Sequence, residues 1–242
     1  MMARASRCWL LAALAVASTG LALPAAASGL VLSPQAKVEG RSQADYAMAW
    51  WQWAMRLPDG VRPYQDPSGA QCALAQTGPV WFLAGTDGTM RVQRRCVVPK
   101  GKYVFLPVIA LLAHAKPGKP ITCQQARDQV ARTNDHLAQV QVSLDGEAIT
   151  NIAAHRLGHV PCFDAFKNAA YLERHAPYMP AATDGYWLML APLPAGLHRL
   201  SVKVRYGSPG TLQGDLEEDF EYQLWIGEVP NAATLSVDSI AT

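Results

Sequence analysis

The chain has 242 residues, 50% of them hydrophobic, with 21 Lys and Arg against 19 Asp and Glu and a formal charge of +2. Its basic residues are scattered along the sequence, which excludes a nucleic-acid binder that tracks phosphates, since that needs a basic excess gathered on one face. No apolar run approaches the roughly 20 residues that span a bilayer, so no membrane insertion is expected of the mature chain.

Arg4 and Arg7 precede an apolar stretch from Trp9 to Ala17, and the leader closes on Ala25-Ala26-Ala27. Residues 1–27 therefore read as a secretory signal peptide cut before Ser28, and the expected location is the periplasm or the extracellular space. Arg4 and Arg7 leave with the leader, so the mature chain is formally neutral. Cys8 leaves too, and it precedes the apolar stretch, which is not the position of a lipid-modified cysteine. Cys72, Cys96, Cys123 and Cys162 remain, an even number suited to two disulfides in an oxidising compartment. Three connectivities are open; the expectation is Cys72 with Cys96 and Cys123 with Cys162. Residues 28–242 have the length of a single all-β domain and contain no linker or repeat.

The first element is a helix over about 42–57, capped by Ser42 and stopped by Pro58 and Asp59-Gly60. At helical spacing Tyr46, Trp50, Trp53 and Leu57 fall on one line, while Asp45, Gln52 and Arg56 form a narrow polar stripe. Trp51, Met48 and Met55 lie off that line. After a turn-rich stretch, Pro79 to Gly85 is a continuous apolar strand, and Asp87-Gly88 predicts a hairpin returning over Met90 to Val98. Lys102 to Ile109 is apolar on both faces and belongs inside the core, with Pro107 ending its regular ladder. Thr122 and Gln125 form a capping box that opens a helical insertion to about Leu137. Alternation resumes at Val140, Val142 and Leu144, turns at Asp145-Gly146, and predicts a partner strand from Glu147 to about Ala153.

Gly185 to Ala191 reads as another strand. The last third holds two half-solvated antiparallel strands, one with Leu200, Val202, Val204 and Tyr206 on a face, the other with Phe220, Tyr222, Leu224 and Ile226. Together these elements predict a mainly β fold: an antiparallel β-sandwich of immunoglobulin-like or jelly-roll type, with an N-terminal helix and a helical insertion.

Trp50-Trp51-Gln52-Trp53, Asp66 to Cys72, Gln76 to Gly85, Arg95-Cys96 and Val98 to Lys102 resemble a group of uncharacterised secreted bacterial proteins. The likeness continues through Asp184-Gly185-Tyr186-Trp187 and Pro194-Ala195-Gly196, so it spans most of the mature chain. In that group an Asn often closes the Phe-Pro-Val strand, where this chain has Ala110 after Leu106-Pro107-Val108. The resemblance implies export and a β-rich fold, and supplies no activity or catalytic residues.

The chemical motifs are sparse. His155, His159 and Cys162, with His175 nearby, carry metal-ligand side chains, but Gly158 and Pro161 break a single helical face and Cys162 is better used in a disulfide, so no metal is expected. The acidic run Asp215 to Glu221 lacks the spacing of a calcium loop and reads as a solvated strand entrance. Gly207-Ser208-Pro209-Gly210 lacks the spacing of a nucleophile elbow. Asp66, Asp164, Glu173 and Asp184 are available carboxylates, of the kind a glycoside hydrolase pairs.

The affirmative signal is aromatic. Trp53 and Trp81 are expected in the core, whereas Trp51 and Trp225 are candidates for a ligand face. The long connection Arg156 to Thr183, held at one end by Cys162, offers Asp164, Glu173 and His175 as further ligand candidates, together with the nearby Asp66 segment. The reading is an exported, non-enzymatic binding or accessory protein without a cofactor, partnered by a glycan or an envelope protein. A secreted hydrolase acting on a polysaccharide or other polymer through loop carboxylates is the alternative, and a module interacting through its Trp-rich helix is a third.

Overall fold

The computed structural model describes residues 27–89, 91–135, 137–158, 160–206 and 217–228. The leader ahead of Ala27, Met90, His159 and the Gly207–Gly210 loop lie outside them. In chain order the elements are α1 (Ala27–Leu30), α2 (Gln43–Ala54), β1 (Val80–Phe82), β2 (Arg91–Val98), β3 (Tyr103–His114), α3 (Cys123–Asn134), β4 (Leu137–Leu144), β5 (Glu147–Ala148), β6 (Ala181–Leu190), β7 (Gly196–Tyr206) and β8 (Glu217–Ile226). The strands form two sheets, β1-β3-β6 and β2-β8-β7-β4-β5.

The sheets face each other across a core that includes Val92, Leu106, Leu188, Val202 and Leu224. The three-stranded sheet is covered on its other face as well. There Phe105, Trp187 and Met189 meet Trp50 and Trp53 of α2. The protein therefore has three layers, with β1-β3-β6 in the middle. All ten residues of β6 are buried, as a strand covered on both faces requires. β2 instead alternates strictly between exposed and buried positions, as a half-solvated strand does. α3 closes one end of the middle layer through Ala126 and Val130 against Ala113 and Ala182.

Local chemistry fixes the helix starts. Ser42 and Asp45 form a reciprocal capping box, Ser42 Oγ accepting from the Asp45 amide at 3.2 Å and Asp45 Oδ2 from the Ser42 amide at 2.9 Å. Thr122 and Gln125 do the same for α3, at 3.1 and 2.7 Å. α2 is three residues shorter than the apolar pattern predicts, ending at Ala54 ahead of Pro58.

Three sequence expectations are corrected. The strand expected to end at Ile109 runs to His114: Pro107 shifts the register with β6 and the ladder resumes at Ile109. The Asp87-Gly88 turn does not fold β1 and β2 into a hairpin. β1 pairs in parallel with β3, and β2 in parallel with β8, so the turn carries the chain from one sheet to the other. The patterns differ for that reason: Val80-Trp81-Phe82 is apolar throughout, while β2 has one wet face. The partner strand after Asp145-Gly146 stops at Ala148, because Asn151 takes a left-handed conformation (φ 60°) and opens a 3-10 turn over Ile152–His155.

Both expected disulfides form, Cys72–Cys96 with Cα atoms 5.7 Å apart and Cys123–Cys162 at 6.0 Å. They are consistent with an oxidising compartment. No helix among the described residues is long and apolar enough to cross a membrane.

Candidate functional site

A cavity of about 260 Å³ opens where α2, the bend of β3, the 85–88 loop and the start of β8 meet. Its walls are Trp50 and Trp51 from α2, Met55 at the helix's C-cap, Tyr64, Thr86, residues 107–112 and His114 from β3, and Glu218 from β8. Pro107 cannot donate to the ladder, and the β3–β6 register slips between Pro107 and Ile109 at this point. Gly185 sits opposite Ala110, and a Cβ there would lie 2.7 Å from the Ile109 carbonyl oxygen, so the close approach of the two strands beside the cavity requires glycine.

The indoles of α2 are held by hydrogen bonds to three different parts of the chain. Trp50 Nε1 donates to the Leu83 carbonyl at 2.8 Å, Trp51 Nε1 to Thr183 Oγ1 at 2.8 Å, and Trp53 Nε1 to the Leu74 carbonyl at 2.7 Å. Each buried ring thus satisfies its polar atom while its faces remain available for packing. Trp50 and Trp51 meet edge to face, centroids 4.9 Å apart and planes at 89°, and Trp51 meets Tyr64 at 6.4 Å and 70°. The three rings form successive walls close to right angles.

Glu218 is the half-buried acid of this cavity. Its Oε2 accepts from the Thr86 amide at 2.9 Å and the Thr86 hydroxyl at 2.6 Å. Desolvation against the apolar wall pushes the carboxyl up to about 7, outweighing the Thr86 bonds and the positive charge of Arg94, with Asp87 adding to the rise. Asp87 itself is exposed at the rim, its Oδ1 accepting from the Thr89 amide at 3.2 Å and the Thr89 hydroxyl at 2.5 Å.

Behind the 85–88 loop lies Arg94, 2% exposed. Its Nε donates to the Asp66 carbonyl at 2.6 Å, and its Nη1 to the Ala84 and Gly85 carbonyls at 2.9 and 2.7 Å and to the Tyr222 hydroxyl at 3.0 Å. Nη2 reaches the Tyr64 carbonyl at 3.3 Å. The guanidinium therefore ties the cavity's two irregular segments, 64–66 and 84–85, to the sandwich through carbonyl oxygens and a phenol. At the far wall, burial holds His114 below its usual pKa, and its ring packs on Phe166 with centroids 4.9 Å apart.

Of the six side chains singled out as ligand candidates, Trp51 lines this cavity. Asp66 is 8% exposed and spends its carboxylate on a turn, accepting from the Ser68 amide and hydroxyl, each at 2.9 Å, and from the Gln71 amide at 2.8 Å. Asp164 accepts from the Phe166 amide at 2.9 Å and lies 3.5 Å from His175 Nδ1, so these two candidates are together, on the long loop. That loop touches the cavity indirectly, through Phe166 and Tyr178 behind His114. Glu173 is exposed on the same loop. Trp225 is half-buried on the outer face of the five-stranded sheet, in register with the exposed Val97 and Leu197. Trp53 and Trp81 are core residues, 3% and 8% exposed.

Asp184 is structural. It is 1% exposed and takes a bidentate pair from Arg156, Nε to Oδ1 and Nη2 to Oδ2 at 2.9 Å each, plus the Asn134 amide at 3.0 Å. His155 is buried with Nδ1 unpartnered among the described residues, and Cys162 is consumed by its disulfide. Among the described residues no three His, Cys, Asp or Glu side chains are gathered as a metal site.

Sequence reasoning missed Glu218 and Arg94. Arg94 was detectable, since it occupies the inward register of β2 with Val92, Cys96 and Val98. Glu218 was hidden inside the acidic run at the entrance of β8, where one carboxylate looks like the next.

No family model matches the chain, and no curated protein is similar to it. A comparison with solved structures finds the solution structure of amebosin, at 6% identity and a TM-score of 0.20, over 61% of this chain and 99% of that one. A likeness of that size carries no argument about fold or function.

Proposed function

We propose that the protein is an exported, non-enzymatic binding or accessory protein of a bacterial envelope or the extracellular space, whose ligand enters the Trp50–Trp51–Glu218 cavity. The observation that carries the reading is the cavity itself: aromatic walls prearranged by hydrogen bonds, around one acid held in place by Thr86. Its volume of about 260 Å³ suits a small molecule or the end group of a glycan or envelope component, and not a polymer chain. Export and a periplasmic or secreted location rest on the leader-like residues 1–27 and agree with the two disulfides. The sandwich is read as a variant of the immunoglobulin-like or jelly-roll plan: the antiparallel β4-β7-β8 run supports that kinship, and the two parallel pairings depart from it.

The test is ligand-observed NMR with a set of small amines, alcohols, acids and monosaccharides, on wild type and on Ala110→Leu, which extends a side chain at the cavity wall. At least one class is expected to bind wild type and to lose binding in a folded Ala110→Leu variant. Absence of binding, or equal binding by both proteins, overturns the cavity reading.

The hydrolase reading survives as a second possibility on one observation, the Glu218 carboxyl at about 7 with Asp87 nearby, which is the condition of a general acid. Turnover of chromogenic glycosides or esters, abolished by Glu218→Gln, would replace the binding reading with that one.

A further inference from the structure

We propose that the cavity takes a small organic cation, an alkylated ammonium whose apolar body lies against the wall formed by Trp50, Trp51 and Tyr64 and whose charge is met by Glu218. This rests on the reading of the cavity as a ligand site and adds the chemistry of the ligand. Three observations point to it. Trp50, Trp51 and Tyr64, in successive edge-to-face contacts at 89° and 70°, all line the cavity, and the negative faces of aromatic rings attract a cation within about 6 Å. Met55 adds a polarisable apolar wall of the sort that accommodates methyl groups. Glu218 is fixed by Thr86 through one oxygen only, Oε2. Its Oε1 makes no hydrogen bond to the described residues and is not sealed from solvent.

The titratable and positive groups nearby are already engaged: His114, on the far wall of the same cavity, is held below its usual pKa by burial, with Nδ1 2.6 Å from the Ala115 carbonyl oxygen. Arg94 is bound to carbonyls and the Tyr222 hydroxyl, and Arg62 is paired with Asp59 at 3.2 Å and donates to Tyr64 Oη at 2.9 Å. Thr86 is neutral, and Asp87 at the rim adds negative charge. A neutral ligand keeps the Glu218 carboxyl in its protonated form, whereas a cation compensates the carboxylate. Because burial raises the carboxyl to about 7, a cation binding below that point displaces a proton from it, and binding tightens as the pH rises.

The experiment is isothermal titration calorimetry with choline and with 3,3-dimethylbutan-1-ol, which has the same shape without the charge. Both are measured on the full mature chain at pH 6 and pH 8. Choline is expected to bind at least tenfold more tightly than the alcohol at pH 8, to weaken at pH 6 with proton release detectable between buffers of different ionisation enthalpy, and to lose at least tenfold in Glu218→Gln. Tyr64→Leu, with its melting temperature checked, should weaken choline more than the alcohol. If the alcohol binds as well as choline and Glu218→Gln changes neither, the cavity is a ligand site but the cation inference is wrong. If choline fails to bind wild type at pH 8, the inference also falls, while binding of other small molecules to the same cavity decides the broader reading separately.

Discussion

Glu218 and Arg94 show how one buried register position differs from a surface charge. Glu218 enters the folded state with its carboxyl raised from the usual 4.5 to about 7, so the native protein binds more protons than the unfolded chain between those values. Stability contributed by this group is therefore fully present below about pH 4.5 and lost as the pH rises through about 7, a difference on the order of 3 kcal/mol. Glu218→Gln keeps an acceptor for Thr86 and removes the charge. Its melting temperature, relative to wild type, is expected to gain between pH 5 and pH 8; parallel curves for the two proteins would show that the group is not held in this way. His114 and His155, both lowered by burial, push the opposite way, losing stability as the pH falls below about 6.5, which is why the difference between variant and wild type is the quantity to measure. Arg94 was legible from the alternation of β2 alone, because a period of two forces it inward with Val92 and Cys96. Glu218 was not legible, since whether a carboxylate at a strand entrance faces water or a wall depends on α2 and the 85–88 loop, far away in sequence.

At the scale of the element, α2 was read well and its setting was not. The capping box, the line of Tyr46, Trp50 and Trp53, and the break ahead of Pro58 are all local chemistry, and they fix the helix. The pattern could not reveal that Trp51, off the main line, is also buried at 7% exposure, because β6 supplies Thr183 as its hydrogen-bond partner 132 residues later. Trp53→Ala removes a ring 3% exposed and leaves the Leu74 carbonyl without its indole partner, so a loss of roughly 3 to 5 kcal/mol is expected from denaturant midpoints. An unchanged midpoint would mean that α2 is only loosely docked. The hairpin expectation failed for a related reason. A turn such as Asp87-Gly88 signals that the chain reverses, but what lies on either side decides whether the arms pair, and here β3 and β8 are better partners than the arms are for each other.

For the whole molecule, the two disulfides fasten the parts that have least regular structure to those that have most. Cys72 joins the 70s loop to β2, and Cys162 joins the long 156–183 connection to the start of α3. With separations of 24 and 39 residues, each contributes about 3 to 4 kcal/mol in the chain-entropy description. Reducing the folded protein is expected to lower its melting temperature. Cys123→Ala with Cys162→Ala should loosen the long loop, read by amide exchange at Phe166 to Tyr178, before it disturbs the sandwich; equal exchange in both proteins would show that aromatic packing alone holds the loop.

The parallel pairing of β2 with β8 has a consequence for the order of events during folding. Arg91 finds its register partner at Asp219, and β8 is the strand that joins β2 to β7. An emerging chain that has not yet delivered residues 217–226 has no sheet to receive β2, no Tyr222 hydroxyl for Arg94 and no Glu218 wall. Closure across such a sequence distance is slow compared with local turns. The amino-terminal half therefore has no complete sheet to adopt until β8 has arrived, and the sandwich closes late and as a unit.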